Sequence, residues 1–244
     1  TERLFGLGAK LVIIACNTAT AVAMRPLQRV WLPAHHPERR VLGIIAPMVE
    51  EIARTPWHSK AGADEAKRPP ETVGIFATQA TVESGFYPHE IALRAPNTRV
   101  VQEACRDLAG MIEAGAPDDA IRPVVERHVD ALLEALDGRA PEKAVLACTH
   151  FPLIEHLFRA ALPPETQLLS QPARVAAALV AYLFRHPEMK DFARNATAPV
   201  CLTTGDPERV TALASRFYGR HLRFQPVEST PTEGPADGEM LHNA

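Results

Sequence analysis

Two segments, far apart in this chain, carry the same pattern. Leu11-Val12-Ile13-Ile14-Ala15-Cys16-Asn17-Thr18 and Ala144-Val145-Leu146-Ala147-Cys148-Thr149-His150 each run through apolar residues to an Ala-Cys pair and then turn polar. Short, nearly continuous apolar runs bounded by polar residues read as buried strands of a parallel sheet. Each is followed by a helical pattern, so the repeated unit is strand, cysteine, polar turn, helix. A chain holding this unit twice is expected to fold as two similar α/β lobes related by pseudo-symmetry. Ligands of open α/β sheets bind just beyond the carboxyl ends of the strands. Both cysteines are expected there, facing one another across a cleft between the lobes.

The remaining sequence fits that frame. Strands are predicted at Leu11–Ala15, Val41–Ile45, Val73–Ala77, Arg99–Gln102, Ala144–Ala147, Gln167–Leu169 and Val200–Thr203. Helices are predicted at Ala19–Val30, Pro47–Arg54, Glu83–Arg94, Asp107–Ala114, Asp118–Leu136, Pro152–Ala161, Ala173–Arg185 and Pro207–Tyr218. This alternation gives an α/β class, with mostly parallel sheets flanked by helices. Pro47, Pro152 and Pro207 fall where a first helical turn tolerates a missing N–H, and Asp206 is placed to cap the last helix. Residues 33–40 and 59–71, with their prolines and basic residues, read as loops. The expected division is 1–46 plus 173–227 as a first, discontinuous lobe and 47–172 as a second. Residues 228–244 lack periodicity and are expected to be disordered.

The charge balance excludes several classes of partner. With 26 Lys and Arg against 29 Asp and Glu, the formal net charge is −3. The basic residues are scattered, so nothing marks a surface for nucleic acid or an anionic membrane. No stretch has the uncharged length of a membrane span. Cys16, Cys105, Cys148 and Cys201 show neither CxxC nor zinc spacing and read as reduced thiols of a cytoplasmic protein. The sequence has no Gly-rich phosphate loop, GxSxG elbow or HExxH helix. Its lysines (Lys10, Lys60, Lys67, Lys143 and Lys190) sit in polar or terminal contexts, which disfavours Schiff-base chemistry with pyridoxal. No metal or organic cofactor is expected.

Proton transfer is the chemistry that two such thiols fit. A cysteine between a strand and a helix N-terminus is expected to gain thiolate character from the helix dipole and the nearby N–H groups. The same donors, with Asn17 and Thr18 after the first cysteine and Thr149 and His150 after the second, can hold a carboxylate. Inverting a stereocentre beside a carboxylate needs a base on one face and an acid on the other. His150 is placed to lower the pKa of Cys148 or to relay its proton. A lone cysteine at a strand end is most often a small buried hydrophobe, and that reading holds for Cys105 and Cys201.

Ala15-Cys16-Asn17-Thr18-Ala19 and Ala147-Cys148-Thr149-His150-Phe151-Pro152-Leu153 resemble the two signature segments of bacterial glutamate racemases. Ala77-Thr78-Gln79-Ala80-Thr81-Val82-Glu83-Ser84-Gly85-Phe86-Tyr87 resembles the family's third segment, and Thr203-Thr204-Gly205-Asp206-Pro207-Glu208-Arg209 resembles its closing one. The resemblance implies cofactor-independent interconversion of L- and D-glutamate for peptidoglycan synthesis. Cys16 and Cys148 would form the acid/base pair, each serving one enantiomer. It implies that Asn17, Thr18, Thr149 and His150 bind the substrate's carboxylate and amine, and that Thr78 and Thr81 add hydrogen bonds. The spacing of that threonine pair fits a helix N-cap equally well. An acidic residue assisting one thiol is also implied. Glu113 is its positional match, although Arg106–Gly110 replaces the family's Pro-rich stretch, and an exposed helix-end glutamate is the other reading. A homodimer is carried over from the family.

Family members open with a strand, an Asp-Ser-Gly turn and a later Pro-Tyr-Gly segment. Residues 1–10 match neither, and resemble the end of the helix before the first cysteine strand. The chain is therefore expected to be N-terminally incomplete, with a sheet edge and apolar helix faces left uncovered. Two rival readings follow: a superfamily relative acting on aspartate or another substrate, and an inactive form short of its N-terminal segment.

Overall fold

The computed structural model describes residues 1–57, 69–190 and 199–227. The loop expected at 59–71 lies largely outside the described residues, as does the tail at 228–244. The chain divides into two units, Thr1–Arg194 and Asn195–Ala244.

The first unit opens with a short helix α1 (Glu2–Gly6), then β1 (Leu11–Ile14), α2 (Asn17–Pro26), α3 (Leu32–His35), β2 (Arg40–Gly43) and α4 (Ile45–Ala53). It continues through β3 (Glu71–Ala77), α5 (Gln79–Glu83), α6 (Phe86–Ala92), β4 (Thr98–Ala104), α7 (Leu108–Ala114), α8 (Asp118–Glu134) and β5 (Lys143–Ala147). Next come α9 (Glu155–Ala161), β6 (Gln167–Leu169), α10 (Gln171–Arg185) and α11 (Pro187–Lys190). β1 and β2 pair in parallel, and a second parallel sheet runs in the order β4-β3-β5-β6.

Register in the larger sheet positions the site. Ala77 of β3 lies opposite Ala104 of β4 on one side and Ala147 of β5 on the other. Three strands therefore end level, and the next residues, Cys105, Thr78 and Cys148, form a row at their carboxyl ends. Residues Val73–Ala77 and all of β5 are buried, as expected of central strands covered on both faces. One face packs Ile45, Met48 and Ile52 of α4 and Tyr87 and Ile91 of α6 against Val73, Ile75 and Val145. Elsewhere in the core the Phe76 and Phe158 rings lie 4.9 Å apart, and Phe151 stands 5.6 Å from Phe158. Lys143 is buried at the start of β5, where Glu71 neutralises it at 2.8 Å.

Helix α6 is also tied to α2 by charge. Glu90 is buried between Arg94, at 2.7 Å, and Arg25 of α2. Arg94 lies over the Trp57 ring at 4.0 Å and donates Nη2 to the Trp57 carbonyl at 2.7 Å.

Several elements differ from the sequence expectation for identifiable reasons. The helix expected at Ala19–Val30 starts at Asn17, because the extended Cys16 backbone serves as its N-cap. It then runs on through a widened turn at Leu27–Trp31 into α3, so the stretch 33–40 is partly helical. Pro26 has no N–H to give the preceding turn, and a widened turn absorbs that loss. The helix expected at Glu83–Arg94 is the shorter α6, Phe86–Ala92, set apart from α5 where Gly85 adopts a left-handed φ of 61°. The helix expected from Pro152 begins as a tight turn at Phe151–Ile154 before α9. The first cysteine strand is not buried throughout: only Val12 of β1 is, and Ile13 is exposed.

In the second unit, β7 (Cys201–Thr203) pairs in parallel with β8 (Phe224–Pro226), and α12 (Pro207–Tyr218) connects them. Asp206 caps α12 as expected, its Oδ1 accepting from Glu208 N at 2.9 Å and Arg209 N at 3.4 Å. The three residues of β8 are too short a run to stand out in sequence. Among the described residues, no helix is long and apolar enough to cross a membrane.

A close approach of β3 to α8 in the core gives a test of this packing. A Cβ at Gly74 of β3 would stand 2.5 Å from Leu132 Cδ2 of α8. Gly74→Ala is expected to lower unfolding stability by about 1–3 kcal/mol in denaturant titration, the usual range for overpacking; an unchanged midpoint would contradict this packing.

Candidate active site

The first thiol sits at a helix start. Cys16 has extended backbone angles (φ −143°, ψ 128°), and its carbonyl accepts from Thr20 N at 2.9 Å. Its side chain is exposed, while the next residue, Asn17, is buried. Thr18, on the first turn of α2, reaches the end of β3: its hydroxyl is 2.8 Å from that of Thr78 and 3.0 Å from that of Thr81. Thr78 and Thr81 are themselves 2.9 Å apart, so the three hydroxyls close a triangle. Thr78 also caps α5 by accepting from Thr81 N. The two readings of the Thr78–Thr81 spacing therefore coexist: the pair is both a cap and part of a hydroxyl cluster.

The second thiol is enclosed. Cys148 is buried at the end of β5, with His150 Nδ1 3.7 Å from its sulfur. His150 Nε2 lies 2.8 Å from Glu113 Oε1, contributed by α7. Carboxylate, imidazole and thiol thus form a line. With Nε2–H donated to Glu113, the Nδ1 lone pair faces Cys148 and can accept its proton. Thr149 is exposed at the same turn.

The thiolate character expected of Cys148 is not what its surroundings give. Burial pushes the Cys148 thiol up from its ordinary range, and electrostatic repulsion from the neighbouring Cys16 and Glu113 side chains acts the same way. The N–H groups of His150 and Phe151 favour the thiolate but do not outweigh burial. The reason is the enclosure of Cys148 at the end of a fully buried strand, which removes water from the sulfur. Cys105, beside Thr78 in the row, is buried and pushed up further by desolvation, which fits the packing role read from sequence. Cys201 is only half-buried, in the second unit.

Two residues at this site were not singled out from sequence. Tyr87 of α6 and Gln171 at the start of α10 both bond the Asn17 side chain. Tyr87 closes the third signature segment, so a signal for it existed. Gln171 carries no local signal, because its partner lies 154 positions away.

No family model matches the chain. A glutamate racemase of Phenylobacterium zucineum (strain HLK1) is 44% identical over 230 residues, covering 92% of this chain and 80% of the relative. One from Caulobacter sp. (strain K31) is also 44% identical, over 229 residues and the same shares. Among solved structures, a glutamate racemase isoform from Bacillus anthracis matches with a TM-score of 0.74 at 23% identity, covering 93% of this chain and 77% of that one. A glutamate racemase from Francisella tularensis, solved with D-glutamate, matches with a TM-score of 0.72 at 22% identity, over 93% and 76%. The structural matches bear out an α/β fold of parallel sheets flanked by helices. With that fold, and with sequence identity sustained along most of both partners, the chain belongs to the glutamate racemase family.

Proposed function

We propose that this chain interconverts L- and D-glutamate by proton transfer at Cα between Cys16 and Cys148. The observation that carries the reading is the Glu113–His150–Cys148 line, set beside the hydroxyl triangle that joins the Cys16 segment to the sheet. One thiolate takes the Cα proton: the C–H bond breaks, an S–H bond forms, and the electron pair spreads onto the α-carboxylate. The thiol on the opposite face then gives its proton to the planar carbon, which inverts the centre. No oxidant or electron acceptor enters this balance.

The residues divide the work by chemistry. Thr18, Thr78 and Thr81 turn their hydroxyls from one another to the α-carboxylate, joined by N–H groups at the start of α2. Thr149 completes the polar ring around the carboxylate and amine, and Asn17 contributes to it through its backbone at the start of α2. A buried, protonated Cys148 is a proton donor at rest, and it becomes a base by passing its proton to His150. Glu113 then stabilises the imidazolium that forms. The lobe division, 1–46 plus 173–227 against 47–172, belongs to this reading because it sets the thiols on opposite sides of the substrate. So do a homodimer, a reducing cytoplasm and D-glutamate supply for peptidoglycan, all supported by family membership.

In deuterated water, either enantiomer of glutamate is expected to gain deuterium at Cα and to racemise. Cys16→Ser and Cys148→Ser should each lower the rate by about 10²–10⁴-fold, the usual worth of an acid/base group. Turnover of aspartate but not glutamate would overturn the substrate assignment. Glu113→Gln keeps the shape but not the charge. It should lower kcat by about tenfold with a smaller change in KM, since the imidazolium forms only during reaction.

The protonation state of Cys148 can be read directly. Burial favours its neutral form, so alkylation by iodoacetamide should rise only as pH climbs above the ordinary thiol value of about 8.5. A half-point at or below that value in peptide mapping would contradict the enclosed, protonated thiol.

A further inference from the structure

Behind the first cysteine lies a buried polar knot on the Asn17 side chain, two of whose members, Tyr87 and Gln171, the proton-transfer scheme does not use. Asn17 Nδ2 donates to Gln171 Oε1 at 2.7 Å, and Gln171 Nε2 donates back to Asn17 Oδ1 at 3.0 Å, closing an amide ring. Tyr87 Oη donates to the same Asn17 Oδ1 at 2.9 Å. Asn17 is 2% exposed, Gln171 3% and Tyr87 fully buried. Both lone pairs of Asn17 Oδ1 are therefore occupied. Burial pushes the Tyr87 phenol up, so it keeps its proton and stays a donor. Three helices, α2, α6 and α10, meet on this one side chain.

Its position gives the knot a consequence for the thiol. Cys16 is exposed, whereas Cys148 is enclosed by the core and faced by His150. Packing does not set the direction of Cys16; its backbone does, and Asn17 is the next residue. We propose that Tyr87 and Gln171 are positioning residues, which aim the Cys16 thiol at the substrate by clamping Asn17 and keep Thr18 in register with Thr78 and Thr81. This deepens the racemase reading and rests on it. The clamp acts on only one of the two thiols.

The test uses the full chain with Tyr87→Phe and Gln171→Leu. Phenylalanine keeps the ring and loses one hydroxyl, so the fold is expected to persist, as thermal melts would show. Racemisation is followed from Cα-deuterated L- and D-glutamate. With Cys16 misaimed, kcat should fall by about tenfold, the scale of one buried hydrogen bond. The deuterium isotope effect on kcat should rise for one enantiomer only, the one whose proton Cys16 removes. Because both substitutions act through Asn17, the double variant should lose less than the product of the single losses. Iodoacetamide labelling should change several-fold at Cys16 and stay at parent rates at Cys148 and Cys105. Isotope effects that rise together, or labelling that rises at all three thiols, would mean general loosening and overturn the proposal, as would unchanged kinetics and labelling in Tyr87→Phe. Should Gln171→Leu fail to fold, Tyr87→Phe alone decides. If the parent chain neither exchanges nor racemises glutamate, the racemase reading fails, while the labelling ratio still decides whether the clamp aims Cys16.

Discussion

The pairing of Ala77 with Ala104 and Ala147 brings three strands to the same level, and everything at the site is built from that edge. Thr78 and Cys148 become neighbours because each follows an alanine of that row. Thr78 then meets Thr18, and through Thr18 the segment bearing Cys16 is drawn to the same edge. A one-residue slip in β5 would turn Cys148 to the other face of the sheet. The fully buried run of β3 and β5, with Lys143 held by Glu71, makes such a slip costly. Core packing and site geometry are thus set by one register.

The two thiols sit in different environments despite their matching sequence contexts. Cys148 is buried, held toward its neutral form, and linked through His150 to a carboxylate. Cys16 is exposed at the start of a ten-residue helix. The proposed reaction needs one donor and one acceptor at any moment, and unequal surroundings are what would let two thiols differ in that way. In the proposed reaction the imidazole would let a thiol disfavoured as an anion act as a base, since its proton would have somewhere to go.

Much of this was legible in the sequence, and the reasons are local. Apolar runs ending in Ala-Cys marked β1 and β5, and Asp206 before Pro207 marked the start of α12. The threonine pair at 78 and 81 was visible as a spacing, though its third member, Thr18, is joined only by folding. Glu113 looked like an exposed helix-end residue, and half its side chain is exposed; its contact with His150 depends on how α7 meets the turn after β5. Burial was the least legible quantity. The helix-dipole argument for a thiolate at Cys148 counted donors near the sulfur but not the burial that removes water from it. Gln171 was invisible for a related reason, since a glutamine after a strand means nothing until Asn17 stands opposite.

Two polar contacts reach from α2 to α6: the Arg25–Glu90 pair and the Tyr87–Asn17 bond. Apolar packing alone would let α2 slide against α6 at little cost, because dispersion contacts are many and weakly directional. A buried carboxylate between two guanidinium groups, and a carbonyl oxygen with both lone pairs taken, tolerate no such slide without leaving a group unpaired. The charged contact fixes α2 near its carboxyl end and the neutral one fixes it at its first residue. A helix held at both ends cannot rotate its N-terminus away from the hydroxyl triangle. The segment after Cys16 is therefore located by directional bonds and the segment after Cys148 by enclosure, two physical routes to the fixed sulfur that the proposed reaction would require.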